Sequence, residues 1–265
     1  LSLRLTGFTL KQDITVAELL EQHAQDAGLT LKLWEPLCIA ALNTPIRKAS
    51  AQVLLNVLRD ALNRRRTDSD MLLPRLDFSA LFPDRAAAFV ARHDGKVLLS
   101  RAVQAVLPLD GGFEVHTEQG TQRFSHVICA TSPTAAARLL APLPMLTDTV
   151  HRIEALEQQP IYTVYLQYPE QVRLPHAMIG LHRRISQWLF DKGAIAGQHG
   201  LLAAVISAEG MHQSWSQDAL AHKVTEELRE EFGISAAPHW FKVIAEKRAT
   251  FCCAPDLQRP AQLTA

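Results

Sequence analysis

The stretch Arg123–Leu140, RFSHVICATSPTAAARLL, changes character in the middle. Phe124, His126, Val127, Ile128 and Cys129 form a short β-friendly run, which predicts a strand. Thr134–Leu140 is alanine-rich and free of breakers, which predicts a helix. Between them stands Ala130-Thr131-Ser132-Pro133, and Pro133 suits the first helical turn because its fixed φ is already helical. A strand feeding a helix N-terminus is a place where nucleotide phosphates dock, since the first amides of the helix are free to donate. An ordinary strand–helix turn has the same signature, so the surrounding sequence has to decide.

Immediately upstream, KVLLSRAVQAVLPLD (96–110), GGFEVHTEQG (111–120) and TQRFSHVICA (121–130) read as a three-stranded meander, with turns at Asp110-Gly111-Gly112 and Gln119-Gly120. Further upstream the periodicity is helical. ITVAELLEQHAQD (14–26) places Thr15 and Glu18 at capping-box spacing. LKLWEPLCIAALN (31–43) is apolar nearly all round, which predicts a buried helix, with Pro36 early in it. ASAQVLLNVLRDALN (49–63) is amphipathic; a short extended segment at 71–74 and a helix over 84–93 follow.

Downstream, 144–157 predicts a helix. PIYTVYLQY (160–168), AMIGLH (177–182), ISQWLFDKG (185–193) and GLLAAVISAE (200–209) predict an antiparallel sheet. SQDALAHKVTEELREEF (216–232) is a strong amphipathic helix, and HWFKVIAEKRATFCCAP (239–255) a last long strand. The fold class is therefore α+β. Its parts are a helical region (1–93), a β-meander with a helix (94–143), an antiparallel sheet with a helix (144–255) and a polar tail (256–265).

With 265 residues, 48% of them hydrophobic, the chain has enough apolar surface for a sizeable core. Lys+Arg and Asp+Glu are both 27, so no basic field points to nucleic acid. The basic run Arg64-Arg65-Arg66 reads as a solvated helix end. The four cysteines show no CxxC spacing, which speaks against a disulfide framework or a zinc site and fits the reducing cytoplasm. No apolar run reaches the ~18 residues of a membrane span, and LSLRLTGFTLKQ lacks the apolar core of a signal peptide. GxGxxG, GxxxxGK[ST], HExxH and GxSxG are all absent, and the histidines are scattered, so no metal is expected.

Three stretches together resemble one family. LWEPLCIAALNTP (33–45) with ASAQVLLNVLRDAL, then LLPRLDFSALFPDRAAAFVARHDGKVLL (72–99), are similar to the helical part of squalene-associated flavin desaturases. PIYTVYLQY, SQWLFDKG, GLLAAVISA and EKRATFCCAPDLQRP resemble their later part. The subfamily is bacterial hydroxysqualene dehydroxylase, within the flavin amine oxidase and phytoene desaturase superfamily. The resemblance implies FAD, with Val103 meeting the adenine and Ala130, Thr131, Ser132 and Pro133 lying near the pyrophosphate and ribose. Family members begin with a Rossmann GxGxxG and end with a segment that closes over the flavin. Neither motif occurs in this sequence, so the expectation is the substrate-binding portion of a longer enzyme, not binding FAD by itself.

The resemblance implies an apolar C30 isoprenoid substrate, losing an allylic hydroxyl as reduced flavin donates hydride to yield squalene. Trp34, Leu37 and Ile39 on the apolar helix, and Tyr162, Tyr165, Trp188 and Phe190 on the sheet, are candidates to line its site; plain core packing explains each as well. Amine oxidases of the superfamily place a lysine beside the flavin where alignment puts Thr163, and 160–168 contains no lysine. Lys247 and Arg248 are candidate catalytic cations. On a regular strand only one of the two could point inward, where it would need a partner. Asp191 is a candidate polar partner, or a turn cap. A lipid substrate is compatible with peripheral membrane contact, although no basic amphipathic helix marks one. Two other readings stay open: an oxidising phytoene desaturase-like or amine oxidase-like enzyme, and a non-catalytic lipid-binding module.

Overall fold

The computed structural model describes residues 7–62 and 65–260. Arg64 of the basic run, the first six residues of the N-terminal stretch and the last five of the tail lie outside the described residues. The chain is α+β and divides into two units, one of residues up to 78 together with 157–257, the other of 79–156 together with the residues after 257.

In the first unit, α1 (Val16–Gln22) opens with the capping box expected from the spacing: Glu18 N donates to Thr15 Oγ1 at 3.2 Å and Thr15 N to a Glu18 carboxylate oxygen at 2.8 Å. Next come α2 (Ala27–Leu29), a π-helical turn (Thr30–Trp34) and α3 (Glu35–Leu42). The π turn lies directly before Pro36: Glu35 N donates to Thr30 O, and proline, without an N–H, cannot resume the α-helical ladder one residue later. α4 (Ala51–Leu62) completes a small core in which Val16, Leu19, Cys38, Leu42, Leu54 and Leu55 meet. The nearly all-round apolar pattern of 31–43 predicts a buried helix. The structure buries Cys38 and Leu42 but leaves Leu33 45% exposed, because α1 and α4 cover one stripe of the helix.

The same unit holds a five-stranded antiparallel sheet. Its strands are β4 (Gln158–Gln167), β5 (Met178–Gly180), β6 (Trp188–Asp191), β7 (Leu201–Ser207) and β8 (Trp240–Phe251), in the order β5-β6-β7-β4-β8. α9 (Lys192–Ala196) follows β6, and α10 (Gln217–Phe232) packs on one face of the sheet. There Leu220, Ala221, Val224 and Leu228 meet Tyr162, Val164, Leu166, Leu189, Leu202, Ile206 and Val243. Period-two alternation along β4 is what aims 162, 164 and 166 at the helix.

The second unit holds the meander β1 (Val103–Leu109), β2 (Gly112–Thr117) and β3 (Gly120–Phe124), flanked in sequence by α5 (Phe78–Leu81), whose first residue belongs to the first unit, α6 (Pro83–Arg92), α7 (Pro133–Leu140) and α8 (Thr147–Glu154). The expected strands over 96–110 and 121–130 are shorter than their β-friendly residues suggest. Residues 96–102 and 125–130 join no ladder, and Leu99 and Ile128 are 80% and 92% exposed. A strand exists through its partner, and no other described strand pairs with these segments.

Candidate functional site

The face of the five-stranded sheet away from α10 gathers several of the expected residues. Register places Gly180, Trp188, Val205, Thr163 and Ile244 in one row across all five strands. The next row is Met178, Phe190, Ala203, Tyr165 and Lys242. Thr163, Tyr165, Trp188 and Phe190 are all half-buried and lie as neighbours within these two rows. The surface is aromatic and aliphatic, with Lys242 at the β8 edge. Trp188 Nε1 is buried without a hydrogen-bond partner.

Tyr162 is set apart from this group. It lies on the opposite face, 7% exposed in the core, edge-on to His212 with ring centroids 5.0 Å apart. Trp34 packs against the helical core, its Nε1 donating to Gln25 Oε1 at 2.9 Å. Leu37 and Ile39 are half-buried on α3.

Lys247 and Arg248 correct a geometric expectation. Strict alternation would turn one of them inward, yet both are exposed. Ile161 pairs with Glu246 and Gln159 with Thr250, so Lys247, Arg248 and Ala249 bulge opposite the single residue Pro160. Pro160 has no N–H to give the ladder, which is why the register breaks there. The Arg248 N–H freed by the bulge donates to Glu246 Oε1 at 2.9 Å.

Asp191 is fully buried and caps a turn: its carboxylate accepts from Ala194 N at 3.0 Å and from Leu174 N at 2.9 Å. Glu227, 2% exposed, works similarly, taking Ile185 N at 2.6 Å and Ser186 N at 3.2 Å. It thereby fixes the turn that leads into β6 and Trp188. Nothing in the spacing of α10 singled out Glu227, because a carboxylate on a polar helix reads as solvated.

Asn43 was visible in sequence only as part of a helix end. It adopts φ +46°, is 6% exposed, and donates from Nδ2 to Pro160 O at 3.2 Å and Thr250 Oγ1 at 2.9 Å. Its Oδ1 accepts from Ala208 N at 2.7 Å. Next to it, Thr44 Oγ1 accepts from Cys253 N at 3.1 Å, and the Cys38 thiol donates to Thr44 O at 3.6 Å. Burial, reinforced by Cys253 and Glu35, pushes the Cys38 thiol up to about 12. Burial also lowers the pKa of His212, whose Nε2 lacks a partner.

In the second unit, Ala130, Thr131 and Ser132 are exposed and Pro133 is half-buried at the first position of α7. The Ser132 side chain makes no capping hydrogen bond. The first amides of this eight-residue helix therefore remain available to an anionic group, which suits a phosphate oxygen. Val103 begins β1, half-buried, beside a register shift between Val103 and Ala105. Among the described residues no cluster of His, Cys, Asp and Glu could hold a metal, and no helix is long and apolar enough to cross a membrane.

Comparison with known proteins extends these observations. No curated protein matches the chain. Among solved structures it is similar to cyclohexylamine oxidase from Brevibacterium oxydans IH-35A, with 17% identity and a TM-score of 0.67 over 92% of this chain and 57% of that one. It is also similar to an oxidoreductase from Methanosarcina mazei, with 11% identity and a TM-score of 0.69 over 99% of this chain and 63% of that one. These likenesses show the fold, and the chain spans about three fifths of each protein's length. The model of the flavin containing amine oxidoreductases matches residues 62–248, well over half of the chain, and on that match the chain belongs to this family.

Proposed function

We propose that this chain is the substrate-binding portion of an FAD-dependent oxidoreductase that acts on a C30 isoprenoid, reductively removing the allylic hydroxyl of a hydroxysqualene. The observation that carries the reading is the composition of the sheet face away from α10, where Trp188, Phe190, Tyr165, Val205, Ala203 and Ile244 adjoin. Such a face binds hydrocarbon through apolar burial, at roughly 25 cal/mol per Å² removed from water. The hydroxyl takes a proton and departs as water, and the aromatic rings favour the positive charge of the resulting allylic cation over their faces. When bound, the flavin supplies the two-electron reduction; the uncapped start of α7 and Thr131 would hold part of its phosphate.

Amine oxidation is the second reading, favoured by the family and by the activity named for the cyclohexylamine oxidase. Against it stands Thr163, at the position where the resemblance puts the lysine of the superfamily's amine oxidases.

Anaerobic mixing separates the two. Reduced holoenzyme given a hydroxysqualene should return oxidised flavin and one equivalent of squalene. Oxidised holoenzyme bleached by amines, with no response of the reduced form to the alcohol, would replace the isoprenoid reading by amine oxidation.

A further inference from the structure

We infer that Gly180 and Trp188 act together as the stop that limits substrate length at the β5 end of the sheet face. The inference rests on the isoprenoid reading above and adds the specificity device. The row Gly180, Trp188, Val205, Thr163, Ile244 crosses five strands, a span of roughly 19 Å at ordinary strand spacing. Through the middle of this row the side chains are small, Val205 and Thr163, while the adjoining row sets Ala203 beside Tyr165. At β6 the row rises abruptly to an indole. A chain lying along the small residues meets that ring as a wall.

Gly180 is what lets the ring lie there. Gly180 and Trp188 are direct cross-strand partners on the same face. A Cβ built at Gly180 would stand 3.2 Å from Trp188 Cζ3, tighter than ordinary contact, and 3.4 Å from Cη2, so a larger residue here requires the ring to give way. The indole thus occupies the space over an edge-strand glycine that needs no positive φ at this position. Among the described residues Trp188 Nε1 is buried and meets no acceptor, so packing against Gly180, not a hydrogen bond, sets where the ring lies.

The test uses the holoenzyme and a hydroxysqualene (C30) with its C20 and C40 isoprenoid homologues bearing the same internal allylic hydroxyl, with Kd from titration calorimetry in detergent and kcat/KM from flavin reoxidation. W188A should raise the C40:C30 ratio of kcat/KM at least about tenfold, through KM and Kd with kcat little changed. W188L replaces it if W188A does not fold. G180A should weaken C30 binding a few-fold while leaving C20 nearly unchanged, and adding W188F to G180A should restore C30. A folded W188A or W188L with the wild-type length profile overturns the inference. So does a G180A that W188F cannot rescue. Wild-type enzyme that binds and turns over none of the three alcohols overturns the isoprenoid reading as well, which keeps the two failures distinguishable.

Discussion

Asn43 Nδ2 donates to Thr250 Oγ1 at 2.9 Å, joining residues 207 positions apart in the chain. The same side chain reaches Pro160 O and receives Ala208 N, so one amide ties the end of α3 to β4, β8 and the segment after β7. Two stretches that carry the resemblance, LWEPLCIAALNTP and EKRATFCCAPDLQRP, therefore meet at this residue. Asn suits the position because it tolerates the left-handed conformation and offers both donor and acceptor.

Replacing Asn43 separates its two roles. N43A loses all three hydrogen bonds, leaves Ala208 N–H buried without a partner and puts alanine at φ +46°. The expected loss is about 2–4 kcal/mol. N43G also loses the bonds but relieves the backbone, so it should be milder by about 1 kcal/mol. Urea unfolding of the three proteins decides it; N43A and N43G of equal stability would remove the conformational part of the argument.

His212 should make stability depend on pH in one direction. Burial lowers its folded pKa below the unfolded value of about 6.5, so the unfolded chain binds the proton more readily. This contribution is intact above the unfolded value and is lost as pH falls through it toward the folded value. H212F, which keeps a ring beside Tyr162, should flatten the fall in unfolding midpoint between pH 7 and 5. A fall of the same steepness in H212F would assign the acid sensitivity to other groups.

Much of this architecture was legible in the sequence. The capping box at Thr15, the helix from Pro133 and the alternation in PIYTVYLQY each express local chemistry that the fold keeps. What escaped depends on partners. Whether 96–102 and 125–130 form strands is decided by what lies beside them. The exposure of both Lys247 and Arg248 follows from Pro160, some ninety residues earlier and on another strand. The separation of Tyr162 from Thr163 and Tyr165 was available from period two alone, once a helix was assigned to one face of the sheet.

Thiol reactivity provides an independent check on burial. The Cys38 thiol is held up to about 12 and buried, whereas Cys129 is exposed near Thr131. Brief iodoacetamide treatment of the native protein at pH 8 should label Cys129 and spare Cys38, because only an accessible thiolate reacts. Mass spectrometry of the peptides reads the outcome; early labelling of Cys38 would mean that the core of α1, α3 and α4 opens readily.

Tyr162 and Tyr165 are three residues apart on one strand yet should fail in opposite ways when replaced. Tyr162 is core, against α10 and His212, so Y162A should cost about 3–5 kcal/mol, as large-to-small changes of buried aromatics do. Tyr165 lies on the other face between Ala203 and Lys242, half-buried. Y165A should cost much less stability and instead raise KM for an apolar substrate, since it removes contact area from the binding face. Parallel measurement of unfolding midpoint and KM distinguishes the faces. If Y165A destabilises as much as Y162A while KM stays put, the face away from α10 is a second core, and the substrate must bind elsewhere.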